Sequence, residues 1–139
     1  RVPVMVDSSR WAVIEAGLKH PFDCLSRADC LSEKSLTRLA EMGARLMWMG
    51  AESGSQKILD AMDKRIKVED VVIWSVAAKR AGIQVGFFLL LGYPGETVDD
   101  ILATERLLER TQPDVYAITI AFPIPIRAAP EMSPAQIDS

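Results

Sequence analysis

The chain predicts an α/β domain built on a parallel sheet of about five strands. Three observations carry this expectation. Short β-rich runs alternate with amphipathic helical stretches four times before a final strand. One run, "QVGFFLLLGY" (84–93), is apolar on both faces, as a strand covered by helices on both sides would be. Finally, 139 residues, about half of them apolar and a quarter charged, suffice for one domain with a real core.

In order along the chain, "VPVMVD" (2–7) reads as a buried strand, with Ser8 or Ser9 capping the helix that follows. Trp11, Ile14 and Leu18 give that helix one apolar stripe. "FDCLSRAD" (22–29) is a second strand. Ser32 caps a helix carrying Leu36, Leu39 and Met42, which Gly43 closes. "RLMWMGAE" (45–52) is the third strand, and Ser53 or Ser55 starts a helix through Ile58, Leu59 and Met62. A helix over 68–81 places Val71, Trp74 and Ala78 on one face and stops at Gly82. After the 84–93 strand, Thr97 and Asp100 stand at capping-box spacing before Ile101, Leu107 and Leu108. "DVYAITIAF" (114–122) is the last strand. Four of the eight prolines follow it, without periodicity, so 126–139 reads as a loose tail.

This alternation predicts βα units of the TIM-barrel type, either as a half-barrel or relaxed into an open doubly wound sheet. Five strands do not close an eight-stranded barrel. The unpaired edge and apolar inner face lead us to expect a homo-oligomer through one of those surfaces.

The net charge of −3 and pI near 5.2 argue against nucleic acid or an anionic membrane as partner. No apolar run is long enough for a membrane span and no signal peptide is visible, so the expected location is cytoplasmic. Two cysteines, Cys24 and Cys30, make no disulfide framework, and both read as small core fillers. Beginning at Arg1, directly in strand-like sequence, the chain reads as a piece of something longer or as a trimmed one.

The candidate functional residues cluster where strands end. "MGAESGSQ" (49–56) closes a buried strand on Glu52 among glycines and serines. That suits the C-terminal rim of a parallel sheet, where ligands bind, and equally a rim carboxylate that is solvated or paired with Arg27. Strand parity with Leu46 and Trp48 points Glu52 toward a barrel interior. Ser53, Gly54 and Ser55 either present free amides to an anion or simply cap a helix. "GYPGE" needs glycine conformations at Gly92 and Gly95 whether or not a ligand binds there. Arg27 and Asp29 share a strand face and suit a plain ion pair. Asp7 by default faces a helix N-terminus. His20 beside Pro21 has no second histidine for a metal pair and reads as linker.

Two stretches carry a resemblance. "SRADCLSEKSLTRLAEMGARLMWMGAESGSQKILDAMDK" and "GIQVGFFLLLGYPGETVDDILAT" resemble the radical S-adenosylmethionine enzymes, particularly the branch associated with cobalamin-binding domains. The resemblance covers residues 22–125 and implies the later strands of a partial barrel around S-adenosylmethionine and a [4Fe–4S] cluster. It assigns Glu52, Ser53 and Gly54, with Gly92, Pro94 and Gly95, to the S-adenosylmethionine rim. Residues 1–19, "RVPVMVDSSRWAVIEAGLK", resemble the pterin-binding barrel of cobalamin-dependent methionine synthase, which implies that Asp7 contacts a pterin ring. The junction falls near His20–Pro21, and together the halves read as a chimera, engineered or selected, forming one domain over 1–125.

The radical family's Cys-x-x-x-Cys-x-x-Cys is absent, and three thiolates are what such a cluster requires. The expectation is therefore a scaffold with no evolved catalysis and no resident cofactor, the [4Fe–4S] cluster belonging only to an intact relative. The alternative is the second half of a radical S-adenosylmethionine core, which binds S-adenosylmethionine and needs a missing cluster-bearing segment.

Overall fold

In a computed structural model, the protein is described over residues 21–121. The expected first strand and helix, Asp7, the junction at His20 and the proline-rich tail lie outside the described residues.

Four strands form one parallel sheet in sequential order: β1 (Phe22–Ser26), β2 (Ala44–Glu52), β3 (Gln84–Leu91) and β4 (Val115–Ile120). Helix α1 (Glu33–Glu41) links β1 to β2, α2 (Gln56–Ala61) and α3 (Val68–Arg80) link β2 to β3, and α4 (Val98–Thr111) links β3 to β4. Sequential order without reversal is barrel order, so the half-barrel expectation holds and the doubly wound alternative does not.

Local chemistry explains the boundaries. Ser32 and Ser35 cap α1 reciprocally: the Ser35 amide donates to Ser32 Oγ at 3.1 Å and the Ser32 amide to Ser35 Oγ at 2.9 Å. Gly43 ends that helix at φ +94°, a conformation that costs a side-chain-bearing residue. In α4 the predicted Thr97–Asp100 capping box forms.

All four helices cover one face of the sheet. Met47, Met49 and Ala51 of β2 and Val85, Phe87 and Leu89 of β3 are buried there against Leu36 of α1, Leu59 of α2, Val71 and Ala78 of α3 and Leu107 of α4. Each large side chain so buried contributes about 2 kcal/mol to burying the core. The opposite face carries Leu25, Leu46, Trp48 and Phe88 with no helix on it among the described residues, and Leu25 is 77% exposed. There the Trp48 and Phe88 rings stack at 4.6 Å and 17°. Gly86 makes that stack fit, since a Cβ on it would lie 2.8 Å from the indole.

Three sequence expectations change. The strand predicted over 22–29 ends at Ser26, and Ala28–Cys30 forms a 3-10 turn in which the Cys30 amide donates to the Arg27 carbonyl. The consecutive polar pair Ser26–Arg27 breaks the alternation of β1, and the turn lets Ala28 be buried while Arg27 bonds Asp29. Cys30 consequently lies exposed on the turn, whereas Cys24 is half-buried against the core. The two-sided apolarity of 84–93 reflects one helix-covered face and one open, barrel-interior face, not two helical layers.

Candidate functional site

The predicted site residues within the described chain lie at or just past the C-terminal ends of the neighbouring strands β2 and β3, with Arg27 just past β1. Glu52 ends β2 just after a register shift against β3 and adopts φ +58°. Its Oε1 sits 3.1 Å from where a Gly50 Cβ would be, so the carboxylate folds back over the open face. This agrees with the parity argument.

Its partner is not Arg27. Lys64 Nζ lies 2.7 Å from Glu52 Oε1, reaching in from the connection between α2 and α3. Lys64 stands between Asp63 and Arg65, both left-handed at φ +50° and +56°. Non-glycine residues in that region store strain that surrounding contacts must hold, and such strain gathers at ligand sites. The contacts are visible: the Lys64 amide donates to Leu59 O, and Lys64 O accepts from Arg27 Nη2 at 3.1 Å. Arg27 also grips Asp29 through two hydrogen bonds of 2.9 Å, from Nε to Oδ1 and from Nη2 to Oδ2. That pairing lowers the Asp29 carboxyl below its ordinary range and raises the Arg27 guanidinium. The expected Arg27–Asp29 pair therefore forms, across the 3-10 turn instead of along a strand. Lys64 gave no sequence signal, because its position depends on two left-handed neighbours within a charged loop.

Ser53, Gly54 and Ser55 do not present free amides. The Ser53 amide donates to Ala51 O, Gly54's to Thr104 Oγ1 at 2.9 Å and Ser55's to Ser53 Oγ at 3.1 Å. Gly54 packs directly on the backbone of α4, where a Cβ would come within 2.2 Å of Ala103 O. Ser55 is the N-cap residue of α2 but makes no side-chain cap. Its hydroxyl donates instead to Asp100 Oδ1 at 2.6 Å. Asp100 Oδ2 accepts from Lys57 Nζ at 2.5 Å, from Thr97 Oγ1 at 2.7 Å and from the Thr97 amide at 2.9 Å. With Lys57 first among these donors, the Asp100 carboxyl is held well below the usual carboxylate range.

The "GYPGE" turn continues from β3 beside this rim. Gly92 and Gly95 adopt φ +81° and +86°, which bears out the turn requirement. Gly92, Pro94 and Gly95 are exposed. The Gly92 amide is held by Glu96 Oε2 at 2.5 Å, and Tyr93 Oη donates to Ala61 O at 3.0 Å. A separate cleft of about 620 Å³ lies on the helical side, lined in part by Gln56, Asp60, Lys67, Glu69 and Arg110. Its charges balance, and it does not open on Glu52 or Gly92.

The described residues do not fit an iron–sulfur cluster. No three metal-ligating side chains converge among them. Cys24 stands on the helix-covered face, where burial and then the Asp23 charge push its thiol up to about 11, so it is not a ready thiolate. Cys30 is on the exposed turn. Among the described residues no helix is long and apolar enough to cross a membrane.

No protein-family model matches the chain. Among curated proteins it is similar to an uncharacterized methyltransferase of Pyrococcus horikoshii, 28% identical over 111 residues, which are 80% of this chain and 24% of that protein. It is also similar to a putative methylthiotransferase of Methanocaldococcus jannaschii, 32% identical over 99 residues, 71% of this chain and 22% of that one. Two of the solved structures similar to this chain illustrate the shared fold. One is coproporphyrinogen III oxidase (HemN) from Escherichia coli, a radical S-adenosylmethionine enzyme, at TM-score 0.70 and 15% identity, covering 78% of this chain and 28% of that one. The other is the cobalamin-dependent S-adenosylmethionine radical enzyme OxsB with aqua-cobalamin bound, at TM-score 0.63 and 24% identity, covering 77% and 17%. These comparisons support the resemblance to radical S-adenosylmethionine enzymes, including cobalamin-dependent ones, and do not support a methionine synthase barrel or a chimera. The chain spans about a quarter of the length of the curated relatives it matches and has the fold of one part of a radical S-adenosylmethionine barrel.

Proposed function

We propose that this chain supplies the later βα units of a radical S-adenosylmethionine enzyme core, forming one wall of its S-adenosylmethionine pocket. One observation carries the reading: Glu52 is held over the open face by Lys64, on the strand next to the exposed Gly92–Gly95 turn. Glu52 offers a carboxylate to a ligand hydroxyl or ammonium. Gly92, Pro94 and Gly95 offer backbone that a flat base can approach closely. Ser53 and Gly54 support this wall from behind, since their groups bond to α4. The open apolar face around Trp48 and Phe88 supports the same reading, because the rest of a barrel would cover it.

Radical chemistry needs the cluster, whose ligands the described residues do not supply, so no reaction step is assigned to this chain alone. An amide NMR titration with millimolar S-adenosylmethionine tests the reading. Signals of Gly50–Ser55 and Gly92–Glu96 are expected to move together. A spectrum that stays unchanged up to several millimolar overturns it and favours the inert scaffold.

A further inference from the structure

We infer that Asp100 is a positioning residue, joining the two rim segments into one unit through Ser55; for its bearing on ligand binding this rests on the reading above. Six buried polar residues occur among the described residues, and four of them, Ser53, Ser55, Asp100 and Thr104, meet where the turn after β2 docks on α4. A capping carboxylate ordinarily serves only its own helix. Asp100 divides its oxygens: Oδ2 caps α4 at Thr97 and also accepts from the half-exposed Lys57 of α2, while the buried Oδ1 reaches 45 residues back to Ser55.

The consequence is mechanical. Glu52 is three residues before Ser55, and the Gly92–Glu96 turn runs directly into Thr97. The contact between Ser55 and Asp100, beside those of Lys57 with Asp100 and of Ser53 and Gly54 with Thr104, therefore helps set the spacing of the two segments that face the proposed ligand. Gly54, pressed on Ala103, leaves the turn no room to slide along α4. Fully satisfied buried networks of this kind specify one arrangement, because a partial rearrangement strands a buried polar group.

The test compares amide spectra of the wild type, Ser55→Ala and Asp100→Asn, each without and with S-adenosylmethionine. Ser55→Ala removes the buried Ser55 arm while keeping Lys57 on Asp100 Oδ2, Ser53 and Gly54 on Thr104, and the α4 capping box, so it isolates that arm and remains informative if Asp100→Asn does not fold. Without ligand, Ser55→Ala is expected to move the signals of Gly92–Gly95, which Ser55 does not touch. With ligand, its apparent affinity is expected to fall about tenfold at both segments. Gly92–Gly95 signals that stay at their wild-type positions in Ser55→Ala overturn the coupling. If those signals move but no variant, wild type included, responds to S-adenosylmethionine, the coupling stands and the ligand reading fails.

Discussion

The two faces of this sheet are built from the same strands and similar side chains, yet they differ in what covers them. Phe87 is fully buried beneath the helices, whereas its neighbour Phe88 is 38% exposed and rests on Trp48. Met47 and Met49 are sealed while Trp48 between them is not. An apolar residue thus says that a position faces something, without saying what. On the covered face the partner is a helix of this chain. On the open face the rings stack on each other and Glu52 bonds Lys64, with no helix over them among the described residues.

Exchanging side chains across the two faces gives the largest expected effect. Phe87→Ala leaves a cavity in a closed core and should cost about 3–5 kcal/mol. Phe88→Ala removes half-solvated surface and one ring stack, and should cost about 1 kcal/mol. Urea denaturation of both variants measures the difference directly. Equal losses would break the comparison and show that the open face is as well packed as the other.

The next effect tests how tightly the rim is fixed. Gly54→Ala puts a methyl where a carbonyl oxygen of α4 already stands, and backbone does not yield as a flexible side chain does. The expected cost is about 3 kcal/mol or more. By contrast, Gly50→Ala meets only the end of the Glu52 side chain and should cost under about 1 kcal/mol, with altered signals at Glu52 and Lys64. Similar stabilities for the two variants would show that α4 is not docked as described.

How much of this was legible follows from the distance over which each feature is decided. Ser32, Gly43, Thr97 and Asp100 announce helix ends within four residues, and the structure has them there. The parallel sheet follows from alternation, which is also local; its strand order does not, since the same alternation suits a half-barrel and a doubly wound sheet until the strands are seen side by side. Glu52 was legible as a rim residue because it ends a strand. Its partner was not, since Lys64 depends on left-handed Asp63 and Arg65, and Arg27 was the nearer cation by pattern. Likewise "ESGS" looks like an anion cradle until Thr104 and Asp100, about 50 residues on, take up its donors. A motif shows that backbone geometry is constrained. Only the fold shows whether ligand or protein does the constraining.

Acid should loosen the rim next. The folded Asp100 carboxyl lies below its unfolded value, so its contribution to stability is complete above the ordinary carboxylate pKa near 3.9. That contribution falls away as pH drops below this value toward the depressed folded one. Asp100→Asn lacks the contribution at every pH. Denaturation at pH 6, 4 and 2.5 should therefore show the variant less stable at pH 6, with the gap narrowing in acid. A gap that holds constant would mean that the carboxylate charge is not what the network uses.

The smallest effect reads the faces through thiol chemistry and leaves the fold untouched. Cys24 sits on the covered face with its pKa pushed up to about 11, so at pH 8 about one molecule in a thousand carries the thiolate there. Cys30 stands exposed on the turn after β1. Brief treatment with iodoacetamide should therefore label Cys30 first, with Cys24 following only as the chain opens, and peptide mass spectrometry distinguishes the two sites. Denaturant below the unfolding transition should speed Cys24 much more than Cys30. If Cys24 reacts as fast as Cys30 in the folded protein, then Cys24 is not packed against the buried core, and the covered face ends at β2.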